Sequence, residues 1–180
     1  MNLVVFADGY LQAGEKIYKA VYGRGGIGPK ETEGNRVSPE GMWPLRKAFY
    51  RADRLNRPST GLSIEALTPA HAWCDVQGDP KYNQLVMLPH PVIDQKLWRE
   101  DHLYDVVVVI GFNDCPVIDG KGSAIFLHVA RPDYSPSAGC AALSLPDLLE
   151  IMPMLDNDST LTFTTATLKN EPVRWPYRGR

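Results

Sequence analysis

Fifteen prolines and fifteen glycines are spread along all 180 residues, so apolar segments run only a few positions before a turn signal interrupts them. Proline removes a backbone donor and clashes inside a helix, and glycine carries an entropic cost there. A chain punctuated this often is confined to short elements, and such elements are mostly strands. The expected architecture is mainly β, a sandwich with mixed sheets and one short helix. It occupies residues 1–168 as one domain, followed by a C-terminal tail over 169–180. The chain is long enough to bury a core without disulfides or metals.

Periodicity places the elements. Leu3–Phe6, the stretch ending at Leu11 and Lys16–Tyr22 read as a meander, with turns at Ala7-Asp8-Gly9 and Ala13-Gly14. Gly23–Gly34 is glycine-rich and charged, and with neither strand nor helix period it reads as a loop. Its glycines lack the closing G-K-[ST] of a phosphate loop. Ser38-Pro39-Glu40-Gly41-Met42-Trp43 reads as a turn entering a strand, and Leu62-Ser63-Ile64 and Leu85–Leu88 as further short strands. Tyr104–Phe112 carries an unbroken Val106–Ile110 β-branched run, which predicts a central strand buried on both faces.

Ser123–Ala130 is its expected neighbour, with Ala124, Phe126, His128 and Ala130 on one face and Ile125, Leu127 and Val129 on the other. Ser144 and Asp147 form a helix N-cap signature with Pro146 in the first turn. Leu145, Leu148, Leu149 and Met152 then recur at helical spacing until Pro153. Leu161–Leu168 reads as a last strand, and Lys169–Arg180 as an exposed tail with Trp175 and Tyr177 folded back.

A net charge of -2 supplies no attraction toward nucleic acid or anionic lipid. No stretch approaches the roughly 20 apolar residues of a membrane span, and Met1–Phe6 is too short for a signal-peptide core. Cys74, Cys115 and Cys140 form no C-x-x-C pair, which indicates neither a disulfide framework nor a tetra-cysteine zinc site. Cys74 and Cys115 read as small core residues, with a disulfide between them as the alternative in an oxidising compartment. His71-Ala72-Trp73-Cys74 has a ligand-like spacing but no second paired motif, so no metal is expected. Trp43, Trp73 and Trp98 read as core aromatics.

The chemistry-bearing feature is Gly122-Ser123-Ala124-Ile125-Phe126-Leu127-His128, followed by Ser137-Ala138-Gly139-Cys140. A cysteine nucleophile needs a proton acceptor within reach and donors aimed at the developing oxyanion. His128 projects from a rigid strand. The small residues before Cys140 leave its thiol little covered, and the amides of Gly139 and Cys140 are the candidate oxyanion donors. By residue type alone, an interior histidine and a packed cysteine are the better explanation of the pair.

These motifs together resemble the catalytic core of the L,D-transpeptidases of the YkuD type, whose pattern is a histidine, a spacer and then [S/T]-x-G-C. The resemblance extends upstream, where the family's T-P-x-G-x-[FW] segment corresponds to Ser38-Pro39-Glu40-Gly41-Met42-Trp43, and covers roughly residues 1–168. The chain departs from the commonest form at three points: Ala138 stands where a second histidine is usual, Ala142 where Arg or Asn is frequent, and the spacer is shorter.

The resemblance implies a cofactor-free, two-step acyl transfer on peptidoglycan or muropeptide stem peptides. Cys140 would form a thioester at the L-centre of a diamino acid and release the terminal D-amino acid. His128 would act as general base and then acid, with Gly139 completing the catalytic group. Ser137, Arg131, Tyr104 and Asn113 are the candidate substrate-binding residues, Arg131 as a cation for the substrate's carboxylates. Two alternatives stand beside this one: an L,D-carboxypeptidase or other cysteine hydrolase of murein peptides, and a non-catalytic peptidoglycan-binding envelope protein. The resemblance places the protein in the periplasm or cell envelope, while the absence of a visible signal peptide leaves the cytoplasm open. The sequence specifies no oligomeric state.

Overall fold

The computed structural model describes residues 1–90 and 96–168. The expected tail, with Trp175 and Tyr177, lies outside the described residues. The chain opens as an antiparallel meander of β1 (Asn2–Phe6), β2 (Tyr10–Ala13) and β3 (Lys16–Val21). Two short strands, β4 (Ile27–Gly28) and β5 (Ser38–Pro39), pair in parallel across the glycine-rich loop. β6 (Gly41–Tyr50) follows at ten residues, so Ser38-Pro39 is already strand rather than the expected turn. β7 (Ser63–Ala66) joins β6 in parallel, and β8 (His71–Trp73) pairs with β9 (Leu85–Met87) as a separate antiparallel ribbon.

β10 (Val106–Ile110), β11 (Phe126–Val129) and β12 (Ala141–Leu143) carry the chemistry-bearing motifs. The helix α1 (Leu145–Ile151) and β13 (Thr160–Thr164) complete the described chain. α1 starts where expected: the Ser144 hydroxyl accepts the Asp147 N–H and donates to the Asp147 carboxylate at 2.6 Å. It stops at Ile151, where a 3-10 turn over Met152–Met154 takes up Pro153.

The sheet order is β10-β11-β12-β3-β2-β1-β13-β6-β7, and β10 also pairs with β6. That last pairing closes eight strands into a barrel with β7 outside the circuit, so the two layers expected of a sandwich are continuous at both edges. β1–β13 and β11–β12 are parallel and the other barrel pairs antiparallel, which gives the expected mainly-β mixed sheet with one short helix.

Strand alternation divides the core in two. One cluster, including Leu3, Val5, Val108, Leu127, Leu143 and Phe163, fills the barrel, where α1 buries Leu148 and Ile151 against it. The other lies on the outer face of β6, β10 and β11 and includes Phe49, Val107, Val109, Phe126 and Cys140, with Trp73, Leu97, Leu103 and Tyr104 contributed by the segments packed over it. This second layer is why the Val106–Ile110 run is buried on both faces, as its composition predicts.

Cys115 corrects the core reading given to it: it is exposed in the turn before Pro116, outside both layers, whereas Cys74 is buried. All three cysteines are free thiols. Trp73 is buried, and Trp43 and Trp98 are partly buried against the two clusters. No helix among the described residues is long and apolar enough to cross a membrane.

Candidate active site

β11 and β12 run side by side in parallel, with Leu127 opposite Ala141 and His128 opposite Ala142. Continuing that register places Cys140, the residue before β12, beside Phe126. With a side-chain period of two, Phe126, His128, Cys140 and Ala142 share the outer face of the barrel. The register therefore puts the histidine and the cysteine at diagonal positions on adjacent strands. Both are nearly sealed, His128 at 6% and Cys140 at 7% exposure.

The tautomer of His128 follows from its partner. Nδ1 lies 2.8 Å from the Val129 carbonyl, which can only accept, so Nδ1 carries the proton and Nε2 the lone pair. Tyr104 packs edge-on against the imidazole at 5.3 Å and fixes the ring plane. Burial holds the His128 pKa down at about 4, assisted by the charges of Arg99 and Arg131 against the opposing effects of the Val129 bond and Asp101.

The Cys140 thiol donates to the Ala124 carbonyl at 3.3 Å and accepts the Phe126 N–H at 3.4 Å. Burial pushes it up to about 11, opposed by the Phe126 N–H and by Lys30. At neutral pH the resting site therefore holds a thiol and a neutral imidazole.

The turn that presents Cys140 is tied down on each side. The Ser137 hydroxyl donates to the Cys140 carbonyl at 2.7 Å and accepts the Gly139 N–H at 3.1 Å. Ser38, from the S-P-x-G segment, donates to the Gly139 carbonyl at 2.7 Å and accepts the Gly23 N–H at 2.9 Å. Gly139 has φ +138°, and a Cβ there would stand 3.0 Å from the Val37 carbonyl oxygen. Glycine is required at this position.

Among the residues singled out from sequence, Cys140, His128, Gly139, Ser137 and Tyr104 converge here. Arg131 is exposed just beyond β11, close enough for its charge to act on His128. Asn113 does not join them. Its amide donates to the Ile118 and Gly122 carbonyls at 2.9 Å each, and its oxygen accepts the Ile118 N–H, so the side chain closes the 113–122 loop. Ser137 likewise spends its hydroxyl on the turn. Ala138 is exposed, while Ala142 is fully buried beside His128.

Sequence reasoning missed the support behind the thiol. Asn83 accepts the Ala124 N–H and the Trp73 indole N–H, each at 3.0 Å, and donates to the Phe112 and Asn113 carbonyls. It holds Ala124 at φ +52°, the strained conformation that aims its carbonyl at Cys140. On the same face lies a cavity of about 250 Å³ whose lining includes Phe49, Trp73, Asn83, Leu85, Val109 and Phe112. Lys30, within the stretch read as a loop, is buried. No local pattern marks Asn83 or Lys30, because each acquires its role from contacts distant in sequence.

A profile of the YkuD L,D-transpeptidase catalytic domain matches residues 2–173. No curated protein matches the chain. Among solved structures, the chain is similar to the helical cell shape determining protein Pgp2 from Campylobacter jejuni, at 13% identity and a TM-score of 0.48, over 92% of this chain and 47% of that one. A lysine-to-alanine mutant of the same protein aligns over the same shares at 15% identity and a TM-score of 0.46. The chain thus spans about half the length of these structures. Matched from its first strand to beyond its last, the chain belongs to the YkuD family of L,D-transpeptidase catalytic domains.

Proposed function

We propose that the protein is a cysteine acyltransferase of peptidoglycan stem peptides, with Cys140 as nucleophile and His128 as general base and acid. The observation that carries this reading is the pairing of a thiol with an imidazole whose Nε2 lone pair is unprotonated, on one face of two adjacent parallel strands. Family membership supplies the substrate class.

In this mechanism the thiol leaves the Ala124 carbonyl and gives its proton to Nε2 of His128. The sulfur attacks the carbonyl of the L-centre of the diamino acid. The resulting oxyanion faces the Cys140 N–H, since the Gly139 N–H is already bonded to Ser137. Collapse breaks the amide bond, and the departing D-amino acid takes the proton from Nε2, leaving a thioester. A second amine then attacks the thioester, loses a proton to Nε2, and restores the thiol. Arg131, at the rim, is the cation for a substrate carboxylate. Tyr104 keeps the imidazole in place. A substrate of this kind puts the working protein in the cell envelope.

The test is product analysis after incubation with a tetrapeptide stem, with and without an added D-amino acid. The expected products are the exchanged tetrapeptide and released D-amino acid, and neither forms with Cys140→Ala or His128→Ala. Tripeptide alone would make the enzyme a carboxypeptidase, and turnover surviving in Cys140→Ala would remove the nucleophile assignment.

A further inference from the structure

Lys30 is a charge buried without a counter-ion in contact. It sits in the glycine-rich loop between β4 and β5 at 5% exposure, and its ammonium donates to the neutral amide oxygen of Asn35 at 2.9 Å. Among the described residues no carboxylate lies within ion-pair distance of it. Glu33, the acidic group that acts on it electrostatically, accepts instead from the hydroxyls of Tyr82 and Ser123. Taking an ammonium out of water is unfavourable, and one with no carboxylate in contact calls for a reason.

The fold makes room for this lysine. Gly122 has φ +127°, and a Cβ there would stand 2.5 Å from Lys30 Cε. The lysine stem thus crosses Gly122, the first residue of the Gly122-Ser123-Ala124 segment whose last carbonyl accepts the Cys140 thiol. That segment is pinned at each residue: the Gly122 N–H donates to the Tyr82 hydroxyl at 3.0 Å, Ser123 donates to Glu33 at 2.7 Å, and the Ala124 N–H donates to Asn83. The ammonium and the sulfur are therefore mounted on one fixed scaffold, and each acts on the other's charge.

The site has a use for a standing cation. Cys140 is followed by β12, so the nucleophile does not itself sit at a helix N-terminus. The resting imidazole is neutral and cannot form the imidazolium–thiolate pair that activates many cysteines. Arg99, Arg131 and Asp101 act on His128, and Lys30 is the cation that acts on the sulfur.

We propose that Lys30 is a positioning residue for Cys140: its ammonium, anchored on Asn35 across Gly122, stabilises the thiolate at the moment the proton passes to His128. This rests on the nucleophile assignment made above.

The experiment is residue-resolved alkylation of the full chain by iodoacetamide at pH 8, with Cys140→Ala fixing the background from Cys74 and Cys115. Removing an adjacent positive charge raises a thiol pKa by a unit or more. The thiolate fraction then falls about tenfold, and the greater basicity of the remaining thiolate returns part of that, for a net fall of about threefold. Lys30→Met is expected to slow Cys140 by this factor and leave the exposed Cys115 unchanged, while Lys30→Arg stays within about twofold of wild type. Equal Cys140 rates in wild type and Lys30→Met would overturn the proposal. If Lys30→Met does not fold, Asn35→Ala, which releases the ammonium from its anchor, is expected to slow Cys140 in the same direction, and an unchanged rate there would overturn it. The two assignments fail separately. Absence of a peptide thioester in wild type removes the nucleophile, whereas a wild-type thioester combined with unchanged alkylation and acylation in Lys30→Met removes only Lys30.

Discussion

In the proposed mechanism His128 and Cys140 meet the substrate as a neutral pair. Burial keeps the imidazole pKa down at about 4 and the thiol up at about 11, so proton transfer accompanies attack rather than preceding it. Below about pH 4 Nε2 is protonated and cannot accept, and the proposed activity is expected to fall on that side. The kcat/KM profile is expected to hold a plateau with its acid limb near 4, and a limb near 6.5 would show a solvated histidine instead. The same shift bears on stability. The folded pKa lies below the unfolded one, so the contribution is fully present above about pH 6.5 and is lost as pH falls through about 4. It amounts to about 3 kcal/mol. Denaturant titrations of wild type between pH 7 and 4 should show this loss, and His128→Gln should flatten it.

At the scale of elements, the site is a strand pair held by a turn, and the turn is held by a distant loop. Ser38 spans the Gly23 N–H and the Gly139 carbonyl, joining the S-P-x-G segment to the nucleophile turn. Ser38→Ala leaves both buried groups unpaired and is expected to lower stability by about 1–3 kcal/mol, with Ser38→Thr restoring most of it, as read by urea midpoints. Gly139→Ala forces a Cβ against Val37 in a backbone conformation that L residues avoid. It should cost about 1–3 kcal/mol and reduce acylation along with stability.

The strands carrying His128 and the central Val106–Ile110 run were legible from alternation and β-branching, and α1 from its Ser144 cap, because those signals are local. Asn83, Lys30 and the role of Ser38 were not. Asn83 and Ser38 work through backbone groups distant in sequence, and Lys30 through its packing across Gly122, and contacts of that range leave no periodic trace. Asn113 misled for the same reason, since its position at the end of a central strand suited a substrate contact equally well.

For the whole molecule, the decisive event is barrel closure. β13 inserts in parallel against β1 and antiparallel against β6, so the last strand of the described residues seals a circuit begun at β1. Phe163 and Leu161 on β13 are fully buried in the interior cluster. Phe163→Ala is expected to cost about 3–5 kcal/mol in denaturant unfolding, and a chain ending at residue 158, which leaves β1 and the Gly41–Pro44 part of β6 without their β13 partner, is expected to lose cooperative unfolding. The closed barrel in turn makes its outer face rigid enough to hold a thiol and an imidazole at fixed register under the covering layer. The most direct measurement is the intact mass of the protein after incubation with a carbapenem, compared with Cys140→Ala. One adduct on wild type, mapped to Cys140, and none on the variant are expected. An unmodified wild type, or an equal adduct on both proteins, would contradict the nucleophile assignment.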